Sequence, residues 1–173
     1  MIKLFDNTWD TNFFEIKTGS IKIDEDYSST ELLSILKIAS KKYKLLYVIS
    51  ETNDINILGD YKRYCSYVDE RIVYSKEIKE DAVLNENIHE LSPDSDISRI
   101  YNLAYVCGGL SRFNMDEKFP DEKFKGLYQM MLANTFNSES DKVFIYDNDG
   151  YKGLITLKCD QNVRIGLLGV RSD

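Results

Sequence analysis

Three cysteines and one histidine are the side chains of this 173-residue sequence best suited to nucleophilic or metal chemistry. Cys65, Cys107 and Cys159 are widely spaced and form no C-x-x-C motif, so we expect free thiols in a reducing compartment, packed as small core residues. His89 is the only histidine, so a histidine-rich metal site is excluded and we predict no bound metal. A Cys–His catalytic pair is conceivable, but no motif marks either partner. His89 is more simply a strand or loop residue near a domain junction.

The composition is that of an ordinary globular protein, with 43% hydrophobic and 29% charged residues. No apolar run approaches the roughly 20 residues of a membrane span, and the start lacks the apolar core of a signal peptide. We therefore expect a soluble, cytoplasmic protein without a membrane partner. The net charge of −7 argues against nucleic acid as the main partner. An anionic ligand would have to be held by local backbone N–H groups or a few basic side chains.

The first part of the chain indicates an α/β layering in the order β, β, α, β. Residues Asp10–Phe14, after Trp9, and then Glu15–Ile23 alternate in a strand-like way. Ser28 and Glu31 form a capping-box pattern that predicts the start of a helix. The apolar run 42–50 is typical of a covered strand. The predicted helix has one apolar face, formed by Leu32, Ile35, Leu36 and Ala39.

The following stretch predicts the junction between two domains. A short helix is expected around Ile55, Leu58 and Tyr61–Tyr64, and a strand at Arg71–Ile78. From Lys79 to Asn87 the sequence is acidic and polar with little periodicity, which is typical of a linker. We therefore predict a small N-terminal α/β domain over residues 1–85 and a second domain over 86–173.

For the second domain the sequence predicts the element order β-α-α-β-β-β, beginning with a short strand at Ile88–Leu91. Ser92 as cap and Pro93 at the first position predict a helix that Gly108-Gly109 ends. This helix has an apolar face of Ile97, Ile100, Tyr101 and Ala104. After a loop, a second helix begins near Pro120, with an apolar face of Phe124, Leu127, Tyr128, Met131, Leu132 and Thr135. The chain then predicts an antiparallel meander of three strands at 142–146, 153–159 and 163–170.

The last strand contains "IGLLGV" (165–170), which is apolar at both alternating sets of positions. This element order, ending in a glycine-punctuated apolar strand, resembles the front half of a GNAT-type N-acyltransferase. Within that family, the segment 108–132, "GLITL" and "IGLLGV" resemble dTDP-fucosamine (dTDP-4-amino-sugar) acetyltransferases. The segments "WDTNFF" and "VDERIVY" (68–74) resemble the extra N-terminal domain of that group. The resemblance therefore spans nearly the whole chain.

The resemblance implies acetyl-CoA as cosubstrate and a role for the last strand. In the family, the free backbone groups of the corresponding strand pair with the pantetheine arm, which requires no particular side chain. The positions that correspond to this contact are Leu168, Gly169 and Val170, and the same amides could polarise the thioester carbonyl. A plain buried core strand is the alternative interpretation.

The resemblance also implies an acceptor pocket beside the loop between the two helices. Ser111, Arg112 and Phe113 are its candidates, because an arginine can bind a nucleotide-sugar phosphate and a phenylalanine can stack on a base or sugar. The alternatives are a structural salt bridge for Arg112 and core packing for Phe113. Tyr128 either packs on its helix or contacts the ligand. No general base is selected among the acidic residues of this region, Asp116, Glu117, Asp121 and Glu122, which are more simply a solvated helix start.

The first domain offers a weaker candidate, since Trp9, Phe13 and Phe14 either pack in its core or form a wall on the acceptor side.

The activity that the resemblance implies is transfer of an acetyl group from acetyl-CoA to a primary amine, by direct attack in a ternary complex. The favoured acceptor is a nucleotide-linked amino sugar.

The family's next elements, a glycine-rich R/Q-x-x-G-x-G/A turn for the CoA pyrophosphate and a later tyrosine acid, do not follow Val170. We therefore expect a truncated chain that acetylates poorly by itself. The alternative is a non-catalytic or degenerate binding module. The strand edge and apolar surface that such a chain exposes predict self-association as a homodimer or by domain exchange.

Overall fold

The computed structural model describes residues 2–24, 27–50, 65–77, 83 and 85–171. The chain divides into two compact units, Met1–Tyr67 and Val68–Asp173. Both combine helices with a sheet, so the α/β class predicted from the sequence is confirmed. The division lies before the predicted boundary at residue 85, and residues 65–77 contain neither helix nor strand. The strand predicted at Arg71–Ile78 is therefore wrong over residues 71–77, and the helix predicted at 55–64 lies outside the described residues.

The first unit has a three-stranded sheet in the order β1-β2-β3. Strand β2 (Thr18–Ile23) pairs antiparallel with β1 (Ile2–Asp6) and parallel with β3 (Leu45–Ser50). Helix α2 (Ser29–Lys42) is the crossover between the two parallel strands, as such a connection requires. The predicted strand at 42–50 is confirmed in β3.

Helix α2 begins as the capping pattern predicts. The Oγ of Ser28 accepts a hydrogen bond from the backbone N–H of Glu31 at 3.5 Å. Leu32, Leu36 and Ala39 on the predicted face are buried, and they form the core of this unit with residues of β1 and β2. The remaining buried members of that core are Ile2, Ile21, Ile23 and Tyr43.

The strand predicted at Asp10–Phe14 is wrong, because Thr8–Phe14 form helix α1. Phe14 is buried on one side of this helix, and Glu15 ends it with a left-handed backbone angle φ of 59°. The helix is joined to β2 by a hydrogen bond from the N–H of Thr18 to Oγ1 of Thr11 at 3.0 Å. This tertiary contact favours the helix over the strand that residue alternation suggested.

The second unit has a four-stranded antiparallel sheet in the order β4-β5-β6-β7. Strand β4 is Ile88–Glu90, β5 is Lys142–Asp147, β6 is Tyr151–Cys159 and β7 is Val163–Val170. The short first strand and the meander are therefore confirmed. His89 lies in β4 and is exposed.

Two main helices connect β4 to β5. Helix α3 (Tyr101–Cys107) follows a 3₁₀ turn at Ile97–Ile100, and α5 (Asp121–Phe136) matches the predicted second helix. The prediction that Ser92 caps α3 is wrong, since the side chain of Asp96 caps the 3₁₀ turn through the N–H of Ser98 at 3.0 Å. A short helix, α4 (Arg112–Met115), lies in the predicted loop. On the predicted face of α5, Met131 is exposed and the other members are buried.

Strand β7 is covered on one face only. Leu167 and Gly169 point into the unit and are buried, whereas Val163, Ile165, Leu168 and Val170 are exposed on the other face. The interpretation of "IGLLGV" as a strand buried on both faces is therefore wrong.

Within the described helices, none is long and apolar enough to cross a membrane.

Candidate functional site

The outer edge of β7 carries backbone groups that its partner strand does not use. The N–H of Arg171 donates to the carbonyl of Lys152 at 2.8 Å, so these two opposite residues form a hydrogen-bonded pair of β7 and β6. Hydrogen-bonded and non-hydrogen-bonded pairs alternate along an antiparallel ladder. Gly169, opposite Leu154, therefore belongs to a hydrogen-bonded pair, while Leu168 and Val170 turn their N–H and C=O away from β6.

Strand β7 contains a β-bulge just before these residues. Ile155 pairs with Leu168 and Leu157 with Ile165, so Gly166 and Leu167 together lie opposite Thr156 alone. The N–H of Leu167 donates to Oγ1 of Thr156 at 2.7 Å. A Cβ at position 166 would lie 2.7 Å from the same oxygen, so a glycine is required there.

Gly169 allows helix α3 to approach β7 closely. A Cβ on this residue would lie 2.7 Å from Sγ of Cys107 and 3.2 Å from the carbonyl oxygen of Leu103. The Cys107 thiol donates to that carbonyl at 3.2 Å. Burial raises the pKa of Cys107 to about 11, so this cysteine is a neutral thiol at physiological pH.

The predicted acceptor residues follow the same end of α3. The N–H of Ser111 donates to the carbonyl of Gly108 at 2.9 Å, and the Asn114 amide donates to the carbonyl of Gly109 at 2.8 Å. Oγ of Ser111 is buried and has no hydrogen-bond partner within the part of the chain that the structure describes. An unsatisfied buried hydroxyl is costly, which makes it a candidate for contact with a ligand.

Arg112 and Phe113 lie in α4 with their side chains in contact. The guanidinium carbon of Arg112 lies 4.4 Å from the centre of the Phe113 ring, and Arg112 is exposed. Phe113 is half-buried and its ring centre lies 5.3 Å from that of Phe119. Phe113 therefore takes part in packing, while the side chain of Arg112 lies at the surface.

The aromatic residues of the two main helices pack around Gly108. A Cβ at this position would lie 2.3 Å from Cζ of Tyr128 and 2.8 Å from Cε2 of Phe124. Tyr128 is buried, so its packing on the helix face agrees with the first of the two alternatives for this residue. The side-chain amide of Gln129 donates to the hydroxyl of Tyr105 beside this cluster.

The acidic residues near the start of α5 make local contacts. Asp121 forms an ion pair with Lys125 at 2.6 Å, and Oδ1 of Asp116 accepts the N–H of Lys118 at 3.0 Å. Glu117 and Glu122 are exposed. This geometry selects no general base among them.

Within the described residues, no group of three or more His, Cys, Asp and Glu side chains is arranged to hold a metal ion.

The end of α3 brings the two predicted groups of site residues into one region. Cys107 contacts Gly169 of β7, and the next residue, Gly108, bonds to Ser111 of the acceptor loop. The N–H and C=O of Gly169 face β6, whereas those of Leu168 and Val170 face away from it. The sequence did not indicate that Thr156, Gly108 and Cys107 shape this region. The only local signal was the Gly108-Gly109 pair, which predicted the end of a helix here.

Comparisons with known proteins do not identify the chain. No protein-family model matches the sequence, and no curated protein matches it either. The resemblance to GNAT acyltransferases therefore stays a prediction that depends on the motifs of the sequence.

Proposed function

We propose that the protein is an N-acetyltransferase that moves an acetyl group from acetyl-CoA to the primary amine of a nucleotide-linked amino sugar. The observation that carries this proposal is the meeting of two features at the end of α3. One is the outer edge of β7, with which no further strand of the described residues pairs. The other is the loop that contains the Ser111 hydroxyl, which has no hydrogen-bond partner in the described part of the chain. The β-α-α-β-β-β order of the second unit is consistent with the front half of a GNAT fold, which we propose for it.

The pantetheine arm of acetyl-CoA would extend along the outer edge of β7. Leu168 and Val170 supply an N–H and a C=O each at alternating positions, which matches the amide spacing of an extended chain. This contact needs only backbone groups, so the aliphatic side chains at these positions do not oppose it. An N–H of this edge would also stabilise the oxyanion that develops on the thioester carbonyl.

The acceptor would bind at the Ser111 loop, with Arg112 on a phosphate oxygen and the Ser111 hydroxyl on a sugar or amine group. The neutral amine then attacks the thioester carbon, a C–N bond forms and the C–S bond breaks. The proton lost from the amine ends on the CoA thiolate. The raised pKa of Cys107 supports this direct route, because a neutral thiol is a poor nucleophile for an acyl-cysteine intermediate.

We also propose a cytoplasmic location, with which the three free cysteines are consistent. Binding of acetyl-CoA to the folded protein, measured by titration calorimetry, tests the central step. We expect saturable binding that Leu168→Pro weakens, because proline removes an N–H that faces the open edge. Val163→Pro is the matched control at the start of the same strand, and circular dichroism checks that both variants fold.

Release of free CoA thiol with an amino-sugar nucleotide as acceptor tests the transfer itself. Acetyl-CoA binding without thiol release would favour the non-catalytic binding module. The absence of any acetyl-CoA binding at millimolar concentration would overturn both the cosubstrate and the activity.

A further inference from the structure

Helix α1 of the first unit carries a stacked aromatic pair in which Trp9 is exposed and Phe13 is half-buried. Trp9 is the only tryptophan of the chain and is 52% exposed, whereas the neighbouring Phe14 is buried. The rings of Trp9 and Phe13 are nearly parallel, with centres 5.1 Å apart and an angle of 8° between their planes. Phe14 meets the Trp9 ring edge-on at 6.3 Å. The indole is therefore held by aromatic contacts while about half of its surface faces solvent.

Hydrogen bonds fix the helix that carries this pair. The N–H of Asn7 donates to the carbonyl of Thr18 at 3.0 Å, and Oγ of Ser20 lies 3.0 Å from Oδ1 of Asn7. With the Thr11–Thr18 contact, these bonds join the N-cap and the middle of α1 to the central strand of the sheet. A ligand that stacks on Trp9 therefore does not have to order the helix first, which lowers the entropic cost of binding.

The side chains beside Trp9 indicate which ligand the indole would accept. Asn12 follows Trp9 by three residues, so the two side chains lie on neighbouring positions of the helix surface. Asn12 is exposed, so its side-chain amide is accessible to a ligand. Helix α1 carries Asp10 and no basic residue, which disfavours a phosphate group here.

We propose that Trp9 and Asn12 form a binding site for a hexopyranose ring. The C–H face of a pyranose is apolar and flat enough to stack on the indole, and the amide of Asn12 can donate to and accept from its hydroxyl groups. This inference goes beyond the proposed function, because it concerns the first unit and sugar binding alone. It can hold or fail whether or not acetyl transfer occurs.

Trp9 supplies its own signal, since the tryptophan emission of the whole chain comes from this residue. We expect methyl glycosides of a neutral and of an amino hexose to change the Trp9 emission with a saturable curve in the millimolar range. Thymidine diphosphate, which has a base and phosphates but no hexose, is the matched control and should give no saturable change.

Variants then assign the binding to the two residues by calorimetry. We expect Trp9→Ala to weaken pyranoside binding by about tenfold or more, and Asn12→Ala to weaken it by a smaller factor. Asn134→Ala replaces an exposed helical asparagine of the second unit and should leave the affinity unchanged.

Three results would overturn the site. The first is an equal response to thymidine diphosphate, which would indicate base stacking; the second is full pyranoside affinity in Trp9→Ala. The third is a shift of Trp9 emission with protein concentration alone, together with no response to either glycoside. That pair of observations would indicate that a second copy of the chain covers the ring.

Discussion

The backbone N–H of Leu167 donates to the side-chain hydroxyl of Thr156 at 2.7 Å, at the point where β7 gains one residue over β6. Both residues are buried, so water cannot replace this bond. The Thr156 hydroxyl therefore stabilises the bulge that precedes the proposed cosubstrate edge at Leu168 and Val170.

Replacing Thr156 with valine tests this relationship. The variant keeps the shape of the side chain but leaves the Leu167 N–H buried without an acceptor, so we expect a loss of ~1–3 kcal/mol in the free energy of unfolding. Urea denaturation followed by circular dichroism measures it. Thr135→Val is the control, because that buried hydroxyl bonds to the carbonyl of Met131 in its own helix, at 3.2 Å. A loss in Thr156→Val no larger than in the control would contradict the assigned role.

A second variant tests the packing at the end of α3. In Gly108→Ala the new methyl group would enter the space of the Tyr128 ring, and we expect a destabilisation of ~1–3 kcal/mol from overpacking. Gly109→Ala is the matched control, since the nearest atom to its added Cβ is the carbonyl oxygen of Val106, 3.3 Å away. Thermal unfolding of the two variants, side by side, compares them. Equal melting temperatures would show that the ring moves aside at no cost.

The pH dependence of the first unit should depend partly on Asp6. Hydrogen bonds from Lys42 at 3.0 Å and from the hydroxyl of Tyr43 at 2.9 Å lower the pKa of this carboxyl group. A carboxylate with a lowered folded-state pKa contributes stability above its ordinary pKa, and that contribution disappears as the pH falls through the folded-state value. We therefore expect the urea midpoint of the wild type to fall more steeply than that of Asp6→Asn once the pH drops below the ordinary carboxyl pKa of 3.8.

The control for this experiment is Glu117→Gln, which changes an exposed carboxylate without an ion pair in the described part of the chain. Its acid profile should follow the wild type. Parallel profiles for Asp6→Asn and the wild type would show that the Asp6 contacts contribute nothing measurable.

The chemical reactivity of Cys107 gives a further prediction. With a pKa of about 11, the thiolate fraction at neutral pH is about one in ten thousand, so alkylation by iodoacetamide should be very slow. Mass spectrometry of digested protein should show modification of Cys107 only when the pH is raised or the protein is unfolded in urea. Rapid labelling of the folded protein at neutral pH would contradict the burial of this thiol. Cys107→Ser should leave acetyl transfer unchanged if no acyl-cysteine forms.

The open face of β7 should cause self-association. Val163, Ile165, Leu168 and Val170 expose adjacent aliphatic groups, and patches of this kind often bind a partner. We expect the molar mass from light scattering to rise with protein concentration, and Ile165→Lys to reduce that rise. Ile38→Lys, at an exposed isoleucine of α2, is the control. A monomeric mass for the wild type at all concentrations would contradict the prediction.

Helix α2 and the meander could be predicted from the sequence because their signals are local. The Ser28–Glu31 cap and the apolar spacing after it specify a helix before any tertiary contact forms. Helix α1 could not be predicted, since its aromatic residues have only moderate helix propensity and its contacts to Thr18 and Ser20 come from another element.

The surroundings of β7 could not be predicted for a related reason. An apolar strand looks the same in sequence whether one face or both are covered, and the cover is a property of the fold. The bulge at Gly166 and Leu167 also shifts the alternation by one residue, so Ile165 and Leu168, three residues apart, are exposed on the same face. The candidate residues could be named from motifs, but their meeting at Cys107 and Gly108 depends on tertiary packing.

The extra residue in β7 also limits which strands of other chains can pair with its edge. A bulge bends the strand and increases its twist, which divides the open edge into two short segments around residues 163–165 and 168–170. A long straight strand from another chain cannot pair with both segments in one register, so open-ended fibril growth is disfavoured. A short extended molecule needs only one segment, and the same bulge that disfavours fibril growth leaves that segment accessible.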